Sequence, residues 1–581
     1  MMKCISSSVF FVSALACSSA LNAGDSAEKA SPSSSKAEKP NILLIVADDL
    51  GFSDLGAFGG EIETPNLDAL ATSGVRLTSF YASPTCSPTR SMLLTGLDNH
   101  QAGVGAMAEA LPSLKILQGK TGYEGYLNPE TTTISEALSD AGYRTFMTGK
   151  WHLGSKPEQQ PTAHGFDRAF VLSQGGADHF GAGQNGGPAL QPATYTEDGR
   201  LAQYPVGAYS SDFFAQRLVD YLSEKDESGR PFFAYLAFTA PHWPLQAPAA
   251  LIAKYQGRYD AGPAALRSAR LQKMTELQLL SEASLSANLV GLDDWAALSD
   301  EQRKIQARNM EIYAAMVDSI DQNVGRVLDH LRATGEFDNT VVIFMSDNGA
   351  EGIEPGALIN RTAKSTPKEH KAAVLANIKS GNADLTKMGT TESFITYGSQ
   401  WAQAGSAPFR RFKGEIEEGG VRVPAFVSGP GVKGRRIINS PLSVRDIMPT
   451  VLDLSNTPHY EGPRGEAARA ADVSMTPTMS WKPMLDGSVD AVRSNTDAVA
   501  WEFHMKRGVR VGDWKAVYGK DASAQPGDRK APSSWKLYNL SVDAGEGHDV
   551  SEENGDVLQR LVSIWDSYAE ENGVFVPGPR K

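Results

Sequence analysis

The hydrophobic positions of this chain form a few short continuous runs, separated by longer stretches of mixed polarity. The clearest runs cover residues 41–47, 144–147, 231–238 and 340–345. A continuous apolar run is typical of a strand that is buried on both faces of a parallel sheet, whereas a half-exposed strand alternates apolar and polar residues. The pattern therefore predicts an α/β fold in which helices flank a mixed, mostly parallel central sheet.

Helix signals lie between these runs. Thr64-Pro65 opens a segment that ends at Gly74, and Thr133 with Glu136 has the spacing of a capping box. From residue 310 to residue 331, apolar residues recur every three or four positions. This spacing predicts one long amphipathic helix that packs on the core.

The pattern changes twice in the second half of the chain. Residues 352–406 are rich in small and polar side chains, so we expect an irregular excursion with no more than a short helix near Lys371. After Asp490, short alternating runs at 514–518 and 535–540 indicate an antiparallel sheet. We therefore expect a main domain over residues 40–490 and a smaller α+β domain over residues 491–575.

The first residues have the layout of a secretory signal peptide, with Lys3 before an apolar run at 9–16 and small residues up to Ala23. We expect residues 1–23 to be removed and residues 24–39 to form a disordered leader. A lipid anchor at Cys17, which follows a poor lipobox, is the alternative. No other stretch is apolar enough to span a membrane, so the mature chain is expected in the periplasm or outside the cell.

Composition and charge narrow the class of protein. Hydrophobic residues make up 41% of the 581 positions, enough for a sizeable buried core. The formal net charge of −13 offers no basic excess to displace counterions from a phosphate backbone, so we expect no nucleic-acid partner. Any anion that the protein binds must meet a local positive pocket.

Cysteine usage singles out one residue. The chain has three cysteines, and only Cys86 lies beyond the expected signal peptide, which contains Cys4 and Cys17. A single cysteine in an exported protein cannot form an internal disulfide, so it is a candidate for a reactive, intermolecularly paired or chemically modified thiol. The ordinary alternative is a small buried apolar residue.

Polar residues follow each of the four apolar runs, at the strand ends where ligands bind in open α/β sheets. They are Asp48-Asp49, Gly149-Lys150-Trp151-His152, Pro241-His242 and Asp347-Asn348. The oxygens of the first and last groups suit a hard divalent cation such as calcium or magnesium. Adjacent acids can also simply cap the next helix, but two such pairs at matching positions favour a metal site.

A second group of residues suits an anion. Cys86 precedes a helical stretch at 91–94, and Arg90 lies one turn after Cys86, so the two side chains share a face. Lys150 and His152 are two apart and would point to the same side of an extended segment. Lys413 adds a further cation. Each residue alone is more often structural or solvated, but the combination favours an anion-binding active site.

The run from Cys86 to Gly96, Cys-Ser-Pro-Thr-Arg-Ser-Met-Leu-Leu-Thr-Gly, matches the C-x-P-x-R signature of the sulfatase family with its downstream Thr-Gly. The chain resembles bacterial arylsulfatases of the Pseudomonas type. The likeness also covers residues 40–57, 149–154, 240–248, 345–352 and 419–424. It implies an alkaline-phosphatase-like fold, with residues 40–490 as the sulfatase domain.

The resemblance implies two cofactors. In that family a formylglycine-generating enzyme oxidises the motif cysteine, so Cys86 would become a formylglycine whose aldehyde hydrates to a diol. One calcium ion would be held by Asp48, Asp49, Asp347, Asn348 and the modified Cys86. Such an ion acts as a Lewis acid and as a template for the substrate.

The resemblance also implies catalytic roles. One diol hydroxyl attacks sulfur with Asp347 as base, and His242 or Lys413 assists the leaving oxygen. His152 then takes the proton of the second hydroxyl, so that a sulfated hemiacetal collapses and expels sulfate. Lys150, His242 and Lys413 bind the substrate, and Arg90 stabilises the attacking group. The sequence around Lys413 departs from the usual family pattern, so Arg411 is the alternative cation.

The expected reaction is hydrolysis of an aryl sulfate, although the natural substrate could be another small-molecule or a carbohydrate sulfate ester. A phosphonate or phosphodiester hydrolase of the same superfamily is the nearest alternative by analogy. A sulfated-glycan binding protein without catalysis is a second. The chemical state of residue 86 distinguishes an enzyme from a binding protein.

Overall fold

The computed structural model describes residues 39–181, 193–279, 295–365, 368–458, 476–520 and 533–577. The predicted signal peptide, the alternative lipid anchor at Cys17 and the leader as far as residue 38 lie outside these ranges. Among the described helices, none combines the length and the apolar character that a membrane span requires.

The strands, in chain order, are β1 (Asn41–Ala47), β2 (Val75–Leu77), β3 (Phe80–Tyr81), β4 (Arg144–Lys150), β5 (Arg168–Leu172), β6 (Tyr195–Glu197), β7 (Arg200–Ala202), β8 (Phe232–Ala237), β9 (Thr340–Ser346), β10 (Ala425–Ser428), β11 (Arg436–Ile438), β12 (Leu442–Ser443), β13 (Ala498–Phe503), β14 (Lys506–Val511), β15 (Trp514–Lys520) and β16 (Ser533–Asn539).

The helices are α1 (Pro65–Ser73), α2 (Cys86–Thr95), α3 (Ile134–Asp140), α4 (Ser210–Leu222), α5 (Ala249–Lys254), α6 (Gly262–Glu276), α7 (Asp300–Thr334), α8 (Pro355–Ser365), α9 (Lys368–Ala383), α10 (Gly398–Gly405), α11 (Glu418–Val421), α12 (Ile447–Leu454), α13 (Lys482–Leu485) and α14 (Gly555–Glu571).

A ten-stranded sheet forms the centre, in the order β11-β2-β10-β9-β1-β8-β4-β5-β6-β7. Its five middle strands, β9-β1-β8-β4-β5, run parallel to one another. Antiparallel strands extend both sides of this parallel block. The predicted mixed, mostly parallel central sheet is confirmed.

The alternation of β1 explains why its sequence is apolar throughout. Leu43 and Ile45 pack into the core on the side of α7. Leu44 and Val46 point the other way, into the core that includes α2, α3 and α12. Because helices cover both faces, neither set of side chains can be polar, and a continuous hydrophobic run results.

The predicted long helix is present and extends further than its apolar stripe. In α7, Ser299 caps the first turn in a capping box with Gln302, and Gly335 ends the helix with a φ of 78°. A left-handed backbone at that position favours glycine, because glycine has no Cβ. The capping box predicted for Thr133 and Glu136 also forms, at the start of α3.

The prediction for residues 352–406 was right in part: the helix expected near Lys371 is present as α9, but α8 and α10, which were not predicted, also lie in this stretch. Apolar periodicity is weak there because most of the large buried residues, from Met388 to Trp401, lie after α9, whereas α8 and α9 bury Leu358 and Ile378 among their described side chains. Leu358, Ile378 and Phe394 form a small core of their own, against which Trp243 packs. A few long-range contacts therefore stabilise helices that the local pattern does not predict.

The predicted antiparallel sheet near the C-terminus is confirmed as β13-β14-β15-β16. Helix α14 packs Leu561 and Trp565 on one face of this sheet. The other face packs Trp501 and Val517 against Tyr81 of the main part of the molecule. The boundary expected at residue 490 stays a prediction.

A buried histidine links this sheet to the segment after α2. His100 Nδ1 lies 2.7 Å from Asp98 Oδ1, and its Nε2 lies 3.1 Å from Glu502 Oε2 on β13. Burial alone would lower the pKa of His100, but the two carboxylates outweigh it and raise the pKa to about 9. The imidazolium is therefore the favoured form in the folded protein.

This link predicts a pH-dependent stability. In the unfolded chain the pKa of His100 is about 6.5, so protonation stabilises the fold fully below that pH, and the gain is lost as the pH rises through about 9. We expect the thermal unfolding midpoint of the parent to exceed that of His100→Gln most strongly at low pH, with the difference shrinking across this window. A difference that does not change with pH would contradict the prediction.

Candidate active site

Two neighbouring parallel strands bring the predicted oxygen ligands together. β1 and β9 pair in a register that places Ala47 beside Ser346, so the residues that follow each strand meet at the same sheet edge. Asp49 has a left-handed backbone, with a φ of 70°. Its amide donates to Asp347 Oδ1 at 3.2 Å, which connects the two loops directly.

Cys86 lies beside these two loops. It is the first residue of α2, and its sulfur lies 3.5 Å from Asp48 Oδ1 and 3.9 Å from Asp49 Oδ1. One ligand atom from each of Asp48, Asp49, Cys86 and Asp347 lies within 4.8 Å of the others, and all four residues are buried. The predicted metal-ligand side chains therefore converge.

Each buried carboxylate is contacted by one cation. Lys150 Nζ donates to Asp48 Oδ2 at 2.7 Å, and Lys413 Nζ donates to Asp49 Oδ2 at 2.9 Å. Arg90 donates to Asp347 Oδ2 through Nε at 3.0 Å and through its second terminal nitrogen at 2.7 Å. Arg90 therefore positions Asp347, and its side-chain hydrogen bonds do not go to Cys86 as the shared helix face suggested.

Burial and the neighbouring charges shift the pKa values of the two adjacent aspartates in opposite directions. Burial raises the pKa of Asp48 to about 8, and the charges of Asp347 and Asp49 add to the effect although Lys150 opposes it. Burial also disfavours ionised Asp49, but Lys413 and His242 outweigh it and lower the pKa of Asp49 to about 2. Three acids that share so small a space are stabilised as anions by additional positive charge.

The residues present fit a hard cation. Asn348 Nδ2 donates to Asp49 Oδ1 at 2.7 Å, while its carbonyl Oδ1 is buried without a hydrogen-bond partner. A buried carbonyl oxygen without a partner is costly unless it meets a cation or water. Together with three carboxylates, it makes an all-oxygen donor set of the kind that calcium prefers.

The thiol of Cys86 does not belong in such a set. Burial raises the pKa of Cys86 well above its ordinary value, so the side chain is a neutral thiol here. A neutral thiol is a poor ligand for calcium, which takes oxygen. In the unmodified chain the sulfur therefore stands where an oxygen of a modified residue 86 would lie.

The positions of Lys150 and His152 differ from the sequence-based expectation. Lys150 is the last residue of β4 rather than part of a following loop. His152 has a left-handed backbone, with a φ of 60°, so the simple alternation of an extended segment does not hold. As a result, Lys150 contacts Asp48, whereas His152 contacts Glu109 through Nε2 at 3.0 Å.

The two active-site histidines are buried and favour the neutral form. Burial lowers the pKa of His152, although Glu109 partly opposes the shift, and the Nδ1 atom of His152 has no hydrogen-bond partner. Burial lowers the pKa of His242 well below its ordinary value. Nδ1 of His242 lies 2.6 Å from the carbonyl oxygen of Trp243, an acceptor, so this nitrogen carries the proton. Nε2 of His242 lies 3.7 Å from Asp49 Oδ2.

The structure favours Lys413 over Arg411 as the cation of the site. Lys413 lies 2.8 Å from Asp49 Oδ1 and 3.3 Å from Glu351 Oε2. The positive charge of Arg411 acts instead on Glu415 and Glu417. Lys413 therefore contacts a predicted metal ligand, while its expected role in substrate binding stays a prediction.

Sequence reasoning missed three residues at this site, Glu109, Trp243 and Glu351. Glu351 comes four residues after Asp347, and Trp243 directly follows His242, so closer attention to the strand ends could have found them. Glu109 lies in an irregular segment, and no local pattern connects it with His152. Only the folded chain brings these two residues together.

Comparisons with known proteins show the family of the chain. A family model described as Sulfatase matches residues 40–457. The chain is 42% identical over 551 residues to an uncharacterized sulfatase of Schizosaccharomyces pombe, across 93% of this chain and 95% of that protein. It is 37% identical over 421 residues to an arylsulfatase of Klebsiella aerogenes, across 72% of this chain and 87% of that protein.

The fold also occurs among solved structures. The crystal structure of Ps i-CgsB in complex with k-i-k-neocarrahexaose superposes with a TM-score of 0.63 at 23% identity, covering 92% of this chain and 94% of that chain. At this identity the likeness concerns the fold alone. The family match over most of the chain and the two relatives carry the assignment: the chain belongs to the sulfatase family, whose enzymes hydrolyse sulfate esters.

Proposed function

We propose that this protein hydrolyses sulfate monoesters with a formylglycine made from Cys86 and one calcium ion held by Asp48, Asp49, Asp347 and Asn348. The observation that carries the proposal is the convergence of these ligand atoms on the buried start of α2, where residue 86 lies. A helix start presents free backbone amides to an anion, and the pocket supplies cations beside it.

When present, the hydrated aldehyde and the calcium ion supply a paired set of hydroxyl groups and Lewis-acid polarisation of the sulfate. The side chains of the protein transfer protons and neutralise charge. Asp347, held by Arg90, accepts the proton of the attacking hydroxyl, and Lys150 and Lys413 neutralise sulfate oxygens. Lys413 lies beside Asp49 and donates to the leaving oxygen. His242 lies on the same side, but its Nδ1 proton is bound to the Trp243 carbonyl, so it must be protonated at Nε2 before it can donate as well.

His152 serves the second half of the reaction. Its buried imidazole favours the neutral form and has an unpartnered Nδ1, so it is able to accept a proton. We infer that it takes the proton of the remaining hydroxyl on residue 86 and so drives sulfate off the enzyme. Water need not attack sulfur in this scheme.

Aryl sulfates are the first substrates to test, since a 37% identical relative is an arylsulfatase. The protein, matured with a formylglycine-generating enzyme, should release inorganic sulfate from a panel of aryl and carbohydrate sulfates. The peptide that contains residue 86 should show the mass of formylglycine. Full activity with unmodified cysteine, or faster cleavage of phosphodiesters and phosphonates than of any sulfate, would contradict the proposal.

The calcium site makes a separate prediction. Removal of the ion with a chelator should lower sulfate release by on the order of 100-fold and lower the thermal unfolding midpoint, because a cation that binds only the folded state stabilises it. Added calcium should restore both. Asn348→Ala should weaken calcium binding, measured by calorimetry, by about tenfold. Unchanged calcium affinity in this variant would exclude Asn348 as a ligand.

A further inference from the structure

We propose that Glu109 and Glu351 select a substrate that carries a single negative charge, so that the enzyme takes the sulfate monoester of an otherwise uncharged ring alcohol. The inference rests on the proposed function, because it concerns the alcohol half of the same ester. It depends on where the two glutamates lie, which charges they contact and which path the alcohol must take.

The two glutamates lie closer to solvent than the catalytic groups. The side chain of Asp49 is 1% exposed and that of Lys413 is 8% exposed. Glu351, which contacts the outer side of this pair, is 15% exposed. Across the site, His152 is 6% exposed and its partner Glu109 is 46% exposed. Lys413 and His152 are therefore buried, and each has a more exposed glutamate as a partner. We call the outer part of the site, beside Glu109 and Glu351, the mouth.

The direction of attack sends the alcohol past both glutamates. Residue 86 lies in the buried inner part of the site, at 1% exposure, beside the fully buried Asp48 and Asp49. In an in-line displacement the leaving oxygen lies opposite the attacking group, so the alcohol points from residue 86 toward solvent. The sulfate contacts the inner cations, and the alcohol occupies the mouth that Glu109 and Glu351 line.

The glutamates keep net negative charge there. Lys413 is shared between Asp49 at 2.8 Å and Glu351 at 3.3 Å, so one cation faces two anions. Glu109 contacts the imidazole of His152, whose neutral form burial favours. Within the described residues, Glu109 makes no direct ion pair with a lysine or arginine, although the charge of Lys150 acts on it from further away. A second negative charge on the alcohol meets two carboxylates of like sign, and like charges at close range in a partly dehydrated site repel strongly.

Trp243 adds an aromatic face beside Glu351. The Trp243 ring lies 4.7 Å from the His242 ring, centroid to centroid, and its indole N–H donates to Glu351 Oε2 at 3.3 Å. An aromatic face beside carboxylate acceptors suits a phenol or a sugar whose hydroxyls donate hydrogen bonds.

The test uses a matched pair of esters, 4-carbamoylphenyl sulfate and 4-carboxyphenyl sulfate, which have similar size and differ by one negative charge. We expect the parent enzyme to favour the amide over the acid by about tenfold in kcat/KM, and the preference to fall at high salt. Glu109→Gln and Glu351→Gln should each reduce this ratio severalfold, and the double variant should bring it close to the ratio of the intrinsic reactivities. Both substitutions keep the shape of the side chain and one hydrogen-bond acceptor.

Glu552→Gln, which removes one charge from an exposed position after β16, is the matched control and should leave the ratio unchanged. If neither active-site variant changes the ratio, or if the ratio does not depend on salt, the inference is overturned. If the parent enzyme releases sulfate from another ester of the aryl and carbohydrate panel but from neither of these two, the inference is also overturned. If it releases sulfate from no ester of the panel, the proposed function itself has failed, so the two failures are distinguishable.

Discussion

Cys86→Ser is expected to abolish turnover, with steady sulfate release lower by on the order of 10⁴-fold or more. A serine offers one hydroxyl in place of the two of a hydrated aldehyde. The first transfer to sulfur can still occur, but no second hydroxyl remains whose proton can be removed to expel sulfate. Sulfate should therefore stay attached to residue 86 after one alcohol has been released.

The measurement needs protein in which residue 86 is shown by peptide mass to be unmodified serine, since a maturation enzyme that also oxidises serine would restore activity. Thermal unfolding provides the control, because Cys86 is buried and a loosened fold would lower activity for another reason. Steady turnover near the parent rate by the verified Cys86→Ser variant would show that the aldehyde is unnecessary.

His152→Ala is expected to leave the first step largely intact and to stop the second. The reason is that each step has its own proton acceptor, Asp347 for the first and His152 for the second. Asp347, fixed by Arg90 at 2.7 Å, lies on the side of the attacking group. His152 has its own unpartnered nitrogen and is paired with Glu109 rather than with any of the metal-ligand carboxylates. Losing His152 should therefore affect only the release of sulfate from residue 86.

A rapid-quench experiment should show a burst of about one equivalent of alcohol, followed by turnover slower by on the order of 10³-fold, with sulfate attached in the intact mass. His548→Ala is the matched control, because the His548 side chain is 70% exposed and its imidazole lies 3.9 Å from Asp543, in the C-terminal part of the chain. A variant with no burst and no bound sulfate would place His152 in substrate binding or in the first step.

Much of this site was predictable from residues that stand next to one another in the sequence. The apolar runs located β1, β4, β8 and β9, because strands buried on both faces leave an unbroken hydrophobic pattern. Residues directly after such strands meet at one sheet edge, so Asp48, Asp49, Asp347 and Asn348 could be grouped before the fold was known. The signature around Cys86 named the family.

The sequence did not determine which cation contacts which carboxylate. Lys150 with Asp48 and Lys413 with Asp49 are pairs separated by about a hundred and by several hundred residues. Such pairs depend on strand order and on backbone turns such as the left-handed Asp49 and His152, which local patterns do not specify. The same holds for Arg90, whose neighbour on the helix is Cys86 but whose partner is Asp347.

The sequence by itself thus determined the core strands of the sheet, and it singled out the candidate nucleophile position and the candidate metal-ligand group. Each follows from local periodicity, from adjacency to a strand end or from a family signature. Only the tertiary structure decided the ion pairs, helices α8 and α10, and the positions of Glu109 and Glu351 beside the site. Glu109 illustrates the physical reason. Nothing near it in the chain distinguishes it from a solvated surface acid, and it acquires a role only because folding brings it within 3.0 Å of His152.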